Sequence, residues 1–131
     1  VRELRLLCTG AAFSVEQQCD SSHLGACVWD CGLCLCSFLD TPEGRALVCG
    51  RRVLELGSGT GACGIAAALL GAESVLLTDV PGLVGLMERN AARVAGLLES
   101  GGCVVKAEAL EWGGDARGNA WQAGHTPRVR Q

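Results

Sequence analysis

The segment Arg51-Arg52-Val53-Leu54-Glu55-Leu56 runs directly into Gly57-Ser58-Gly59-Thr60-Gly61 and then Ala62-Cys63-Gly64-Ile65-Ala66-Ala67-Ala68-Leu69-Leu70. A short apolar strand, a glycine loop and a small-residue helix stopped by Gly71 constrain the chain more than any other feature. Glycines let backbone approach a ligand without a Cβ and reach positive φ. A helix N-terminus behind them favours a nucleotide-like ligand. Taken alone, the loop is also compatible with a plain tight turn.

The pattern then repeats. Ser74-Val75-Leu76-Leu77-Thr78 reads as a second strand ending at Asp79, and Pro81 sits where a helix would start, because its missing N–H is harmless in the first turn. Leu83, Met87, Asn90, Val94 and Leu97 recur at helical spacing. After Gly101-Gly102, Cys103-Val104-Val105-Lys106-Ala107 reads as a third strand. Strand, helix, strand, helix, strand predicts an α/β fold on a parallel sheet.

Two cofactors compete for the loop. Gly59-x-Gly61-x-x-Gly64 matches the dinucleotide fingerprint, with Asp79 lying 20 residues after Gly59, so an NAD(P)-binding oxidoreductase fragment is one reading. Charge favours the other. Glu55, expected at the mouth of the loop, would oppose a pyrophosphate by about 4 kcal/mol at 4 Å and an effective dielectric near 20. The same carboxylate suits the ammonium and sulfonium of S-adenosylmethionine. Asp79 would accept from the ribose hydroxyls in either case, although an acid there could equally cap the next helix.

Upstream, residues 1–23 partly alternate and predict a hairpin. Cys27–Leu39 is apolar apart from the stripe Asp30, Ser37 and Asp40, which predicts a largely buried helix, ended by Thr41-Pro42-Glu43-Gly44. Residues 115–131 show no periodicity and are expected to be an irregular tail.

The chain has 131 residues and a net charge of −3, with 49% hydrophobic residues. That is the composition of one globular domain, and the charge argues against a nucleic-acid protein relying on a basic surface, though a local patch stays compatible with it. No apolar run reaches the roughly 20 residues that cross a bilayer, which speaks against a membrane protein. Nine cysteines without a signal sequence predict reduced thiols and a cytoplasmic or nuclear location, not a disulfide framework. Cys27-x-x-x-Cys31-x-x-Cys34 has the spacing of a radical S-adenosylmethionine cluster, and Cys31, Cys34 and Cys36 could be read as a zinc site. Both are set aside for one face of buried thiols on a helix, so no metal is expected.

Four ordered elements carry a resemblance: Cys27-Val28-Trp29-Asp30, then Val53–Gly61, then Leu77-Thr78-Asp79, then Leu110-Glu111-Trp112-Gly113. Over residues 24–114 the chain resembles the seven-strand protein-lysine methyltransferases, near their methyltransferase-like 21 group. The resemblance implies a Rossmann-like methyltransferase fold with S-adenosylmethionine as cofactor. The cofactor residues would be Trp29, Glu55, Gly57, Ser58, Gly59, Gly61, Asp79 and Trp112. Trp112 would lie beside the adenine, and Trp29, otherwise a core tryptophan, would help close the site. It further implies methyl transfer to a lysine of a protein substrate, such as a AAA-ATPase or chaperone-type protein. The family continues with a fourth strand bearing an Asp-x-x-Tyr-type motif, whereas this sequence has no tyrosine. The expectation is therefore the N-terminal cofactor half alone, with no assignable catalytic residue and with Val53–Leu56 left as an exposed sheet edge. An inactive fragment serving at most as a binding module is the alternative.

Overall fold

The computed structural model describes residues 1–19, 22–98 and 101–113; the expected tail at 115–131 lies outside them. Hydrogen bonding builds two sheets. Strands β1 (Arg2–Arg5) and β2 (Ala12–Val15) form an antiparallel hairpin. Strands β3 (Arg52–Leu56), β4 (Ser74–Asp79) and β5 (Val104–Ala109) form a parallel sheet in the order β3-β4-β5. In register, Arg52 pairs with Ser74 and Leu56 with Thr78, while Asp79 pairs with Ala109. Parallel neighbours require crossovers. Helix α3 (Ala62–Leu69) joins β3 to β4, and α4 (Pro81–Leu98) joins β4 to β5.

The core lies between sheet and helices. Ile65, Ala66, Val75, Leu77, Met87 and Val94 are almost wholly buried, and Leu6, Phe13 and Val15 join them from the hairpin. Strand β3 is an edge, with Leu54 and Leu56 exposed. On α4 the buried stripe runs Leu83, Met87, Asn90, Val94 and then Leu98, with Leu97 exposed. The sequence spacing predicts Leu97 for the last place. A 3.6-residue repeat carried on from Val94 brings the fourth residue inward, not the third.

The segment before β3 departs from expectation. The helix expected over Cys27–Leu39 begins three residues later, as α1 (Asp30–Leu39), because Cys27 and Trp29 are extended. It is not largely buried. Leu33, Cys36 and Leu39 face inward, while Cys31, Cys34, Leu35 and Phe38 are exposed. Thr41-Pro42 does more than end α1, since it starts α2 (Pro42–Val48). The Thr41 hydroxyl accepts the Gly44 N–H at 3.1 Å, and proline occupies the first helical position, where no N–H is needed.

Asp40 fastens this layer to the hairpin. Although buried, its carboxylate accepts the N–H groups of Cys8 and Thr9 and the Thr9 hydroxyl. Burial pushes its pKa up, but these hydrogen bonds outweigh it and hold the carboxyl below the usual range. Cys19 and Cys27 are joined as a disulfide, which corrects the expectation of reduced thiols for that pair, and the other seven cysteines are free. The pairing also removes Cys27 from the three-thiol cluster considered above. Among the described residues, no group of three or more His, Cys, Asp or Glu side chains could hold a metal ion, and no helix is long and apolar enough to cross a membrane.

Candidate cofactor site

The glycine loop leaves the C-terminal end of β3 and folds back toward the tip of β4. Gly57, Gly59 and Gly61 have φ of 69°, 56° and 81°, all left-handed values that residues with a Cβ rarely adopt. All three are also closely approached: a Cβ on Gly61 would lie 2.7 Å from Leu77 Cδ1. A Cβ on Gly59 would lie 2.3 Å from the Gly25 carbonyl oxygen, and one on Gly57 would lie 3.2 Å from the Trp112 ring. Gly64 is needed for packing, since a Cβ there would meet Leu77 Cδ2 at 2.3 Å.

Polar contacts then fix the loop's path. The Ser58 N–H donates to the Thr78 carbonyl at 2.9 Å. The Ser58 hydroxyl accepts the Thr78 N–H at 3.0 Å, and the Thr78 hydroxyl donates to the Glu55 carbonyl at 2.6 Å. Ser58 thus stitches the loop to β4, being buried itself. Asn90, fully buried on α4, donates to the Thr60 carbonyl at 2.9 Å and to the Glu16 carbonyl at 3.0 Å, and accepts the Glu16 N–H at 2.6 Å. The sequence reading placed Asn90 on the inward stripe without a role. An amide among apolar neighbours at an inward position was the signal, because buried amides require partners.

The two acids behave differently. Asp79 ends β4 and faces the loop: Oδ2 accepts the Gly59 N–H at 2.7 Å, and Oδ1 accepts the Val80 N–H at 2.7 Å. Each oxygen retains acceptor capacity. Glu55 does not stand at the mouth of the loop. Its carboxylate lies under the first turn of α3, accepting the Gly64 N–H at 2.8 Å. Burial there pushes its pKa up to about 7, against the hydrogen bonds it accepts. The repulsion argument for a fully charged Glu55 facing the ligand therefore does not carry over. The side chain braces the loop from behind.

The tryptophans sit at the rim. Trp112 follows β5, is 74% exposed, and rests its ring against Gly57. Trp29, 56% exposed, donates its indole N–H to the Leu24 carbonyl at 3.0 Å. Leu24 begins a single turn, Leu24–Ala26, whose Gly25 covers Gly59. A Cβ on Gly25 would come within 3.6 Å of Asp79 Oδ2. Trp29, the three loop glycines, Ser58, Asp79 and Trp112 thus gather at one end of the sheet, with Glu55 behind them.

A parallel sheet with a glycine loop at the C-terminal end of one strand and an acid at the tip of the next is an α/β architecture in which ligands bind beyond the carboxyl ends of the strands. A family model described as lysine methyltransferase matches residues 9–126, and the chain belongs to that family. It is 44% identical over 69 residues to the protein-lysine methyltransferase METTL21E of Mus musculus, covering 53% of this chain and 28% of that protein. It is 52% identical over 62 residues to the protein N-lysine methyltransferase METTL21A of Danio rerio, covering 46% and 27%. With the EEF1A lysine methyltransferase 3 of Xenopus tropicalis it shares 40% over 67 residues, covering 51% and 29%. The chain spans less than a third of the length of these relatives.

Proposed function

We propose that residues 24–114 form the S-adenosylmethionine-holding part of an enzyme that methylates a lysine of a protein substrate. The observation that carries this reading is the contact set on the glycine loop: Asp79 on the Gly59 N–H, with the Trp112 ring on Gly57. The residues present fit the group. Asp79 has acceptor capacity left for the two ribose hydroxyls. Trp112 offers an exposed ring face beside a glycine, which suits stacking on an adenine. Trp29 holds the Leu24–Ala26 turn against the loop and so bounds the site.

S-adenosylmethionine supplies a methyl group carried on a sulfonium. The work of this chain is to bind and orient: Ser58 and Asn90 hold the loop backbone, Asp79 fixes the ribose end, and Trp112 covers the base. Positioning of that kind is the main source of rate in a displacement between two held partners. No described residue is assigned to removing the proton of the lysine amine. A AAA-ATPase or chaperone-type protein as substrate, and a cytoplasmic or nuclear location, belong to the same reading. The NAD(P) alternative retains only the letter match at Gly59–Gly64, and the family finding favours methyl transfer.

Calorimetric titration of the chain with S-adenosylhomocysteine tests this. Saturable binding is expected, weakened at least about tenfold in Asp79→Ala, since loss of a paired carboxylate costs on the order of 1.5–3 kcal/mol. A folded chain that does not bind, or that binds NAD equally well, would overturn the reading.

A further inference from the structure

Behind the loop, Cys36 of α1 and Cys63 of α3 meet across the contact between the two helices, with their sulfurs 3.9 Å apart and hydrogen-bonded. The Cys36 thiol, buried, also approaches the Ala62 carbonyl at 3.8 Å, and the Cys63 thiol, partly exposed, the Gly32 carbonyl at 3.5 Å. Nothing in the cofactor reading uses either group. Cys63 is nonetheless tied to the loop. It lies two residues past Gly61, in the same first turn of α3 as Gly64, whose N–H donates to the Glu55 carboxylate.

We propose that Cys36 and Cys63 form an oxidisable dithiol, which hydrogen peroxide converts to a disulfide stapling α1 to the first turn of α3. The deprotonated sulfur of one cysteine attacks a peroxide oxygen. The O–O bond breaks, leaving a sulfenic acid on that cysteine, and the departing oxygen leaves as water after taking up a proton. The sulfur of the other cysteine then attacks the sulfenic sulfur. The S–S bond forms, the S–O bond breaks, and the proton of the second thiol leaves with the oxygen as a second water. Two thiols lose two electrons and one peroxide gains them.

Geometry supports this pair over the others. A disulfide needs sulfurs about 2.05 Å apart, so the two side chains must close by about 2 Å between them. Cys8, Cys31, Cys34 and Cys49 are free thiols exposed at the surface, whereas Cys36 and Cys63 already touch. The shared hydrogen bond holds the Cys36 thiol below its ordinary range and, with burial, pushes that of Cys63 up. Cys63 is the more exposed of the two, so either sulfur can take the peroxide, and the other resolves. Once bridged, the first turn of α3, which carries the Gly64–Glu55 contact, is tied to α1, so oxidation reaches the support of the glycine loop. The disulfide itself does not depend on which cofactor the loop holds.

The test treats the whole chain with hydrogen peroxide, blocks remaining thiols with N-ethylmaleimide, and maps unreduced peptides by tandem mass spectrometry. The expected result is loss of alkylation at Cys36 and Cys63 in step, with a linked peptide joining them. The Cys19–Cys27 peptide serves as the internal reference for intact folding. In Cys36→Ser and in Cys63→Ser the linked peptide should be lost, and the remaining cysteine should stop at the sulfenic acid, trapped by dimedone. Alkylation of both cysteines in the wild-type chain after the exposed thiols have been oxidised would overturn the proposal. So would bridging of either one to a different cysteine.

Discussion

Helix α3 buries six of its eight residues, whereas α1 buries two of its ten. Both are apolar in sequence, and the difference lies in what surrounds them. α3 is held between the strands β3 and β4 and the helices α1 and α4, so nearly every side chain meets protein. α1 packs inward on α3 and α2, leaving Leu35 and Phe38 at 45% and 46% exposure. Composition reports how much surface a segment can bury, but burial depends on how many neighbours reach it.

The contrast can be broken most sharply at the loop that feeds α3. Gly59→Ala combines a positive φ with overlap on the Gly25 carbonyl, and is expected to destabilise by about 4 kcal/mol. Urea denaturation would show a much lower midpoint, or no cooperative transition at all. A loss under about 1 kcal/mol would mean that the loop is free to open and that Gly25 does not hold it.

Glu55 gives the next largest effect, with a distinct pH signature. Its pKa rises from 4.5 to about 7 on folding, so the folded chain holds the proton more tightly than the unfolded one. Stability from this group is fully present below pH 4.5 and is lost as pH rises through 7. The loss amounts to about 3 kcal/mol. Glu55→Gln keeps an acceptor for the Gly64 N–H and never charges, so its denaturation midpoint should lack that decline between acid and neutral pH. Parallel profiles for the two proteins would show that the carboxylate is solvated.

The smallest effect belongs to the open face of α1. Phe38→Ser should change stability by less than about 0.5 kcal/mol, as for other exposed positions. A loss of several kcal/mol in thermal unfolding would mean that this face is covered in solution.

The same contrast explains what was legible. The parallel unit could be read from the sequence because its signals are local: apolar strand, glycine loop, small-residue helix, acid at a strand end. Asp79 meets Gly59 and Trp112 meets Gly57 among those residues, although the order of motifs does not say which of their atoms pair. The errors fell where the outcome depends on distant partners. Glu55 looked like a charge facing the ligand, yet its side chain turns under α3, because alternation along β3 fixes the face but not the neighbour. Asn90 became a clamp only once β2 and the loop converged on it. The start of α1 was placed three residues early because Cys27 is held by Cys19 and the Leu24–Ala26 turn packs on Gly59.

In the proposed function the cofactor lies at the glycine loop, between Asp79 and Trp112. The most direct measurement is a ¹⁵N-resolved NMR titration with S-adenosylhomocysteine, following the backbone amides of Gly57, Gly59 and Gly61 and the indole N–H signals. The expected result is saturable shifts at those glycines and at the Trp112 indole, with NAD producing none. Shifts absent from the loop in a well-dispersed spectrum, or the same shifts with NAD, would contradict the account.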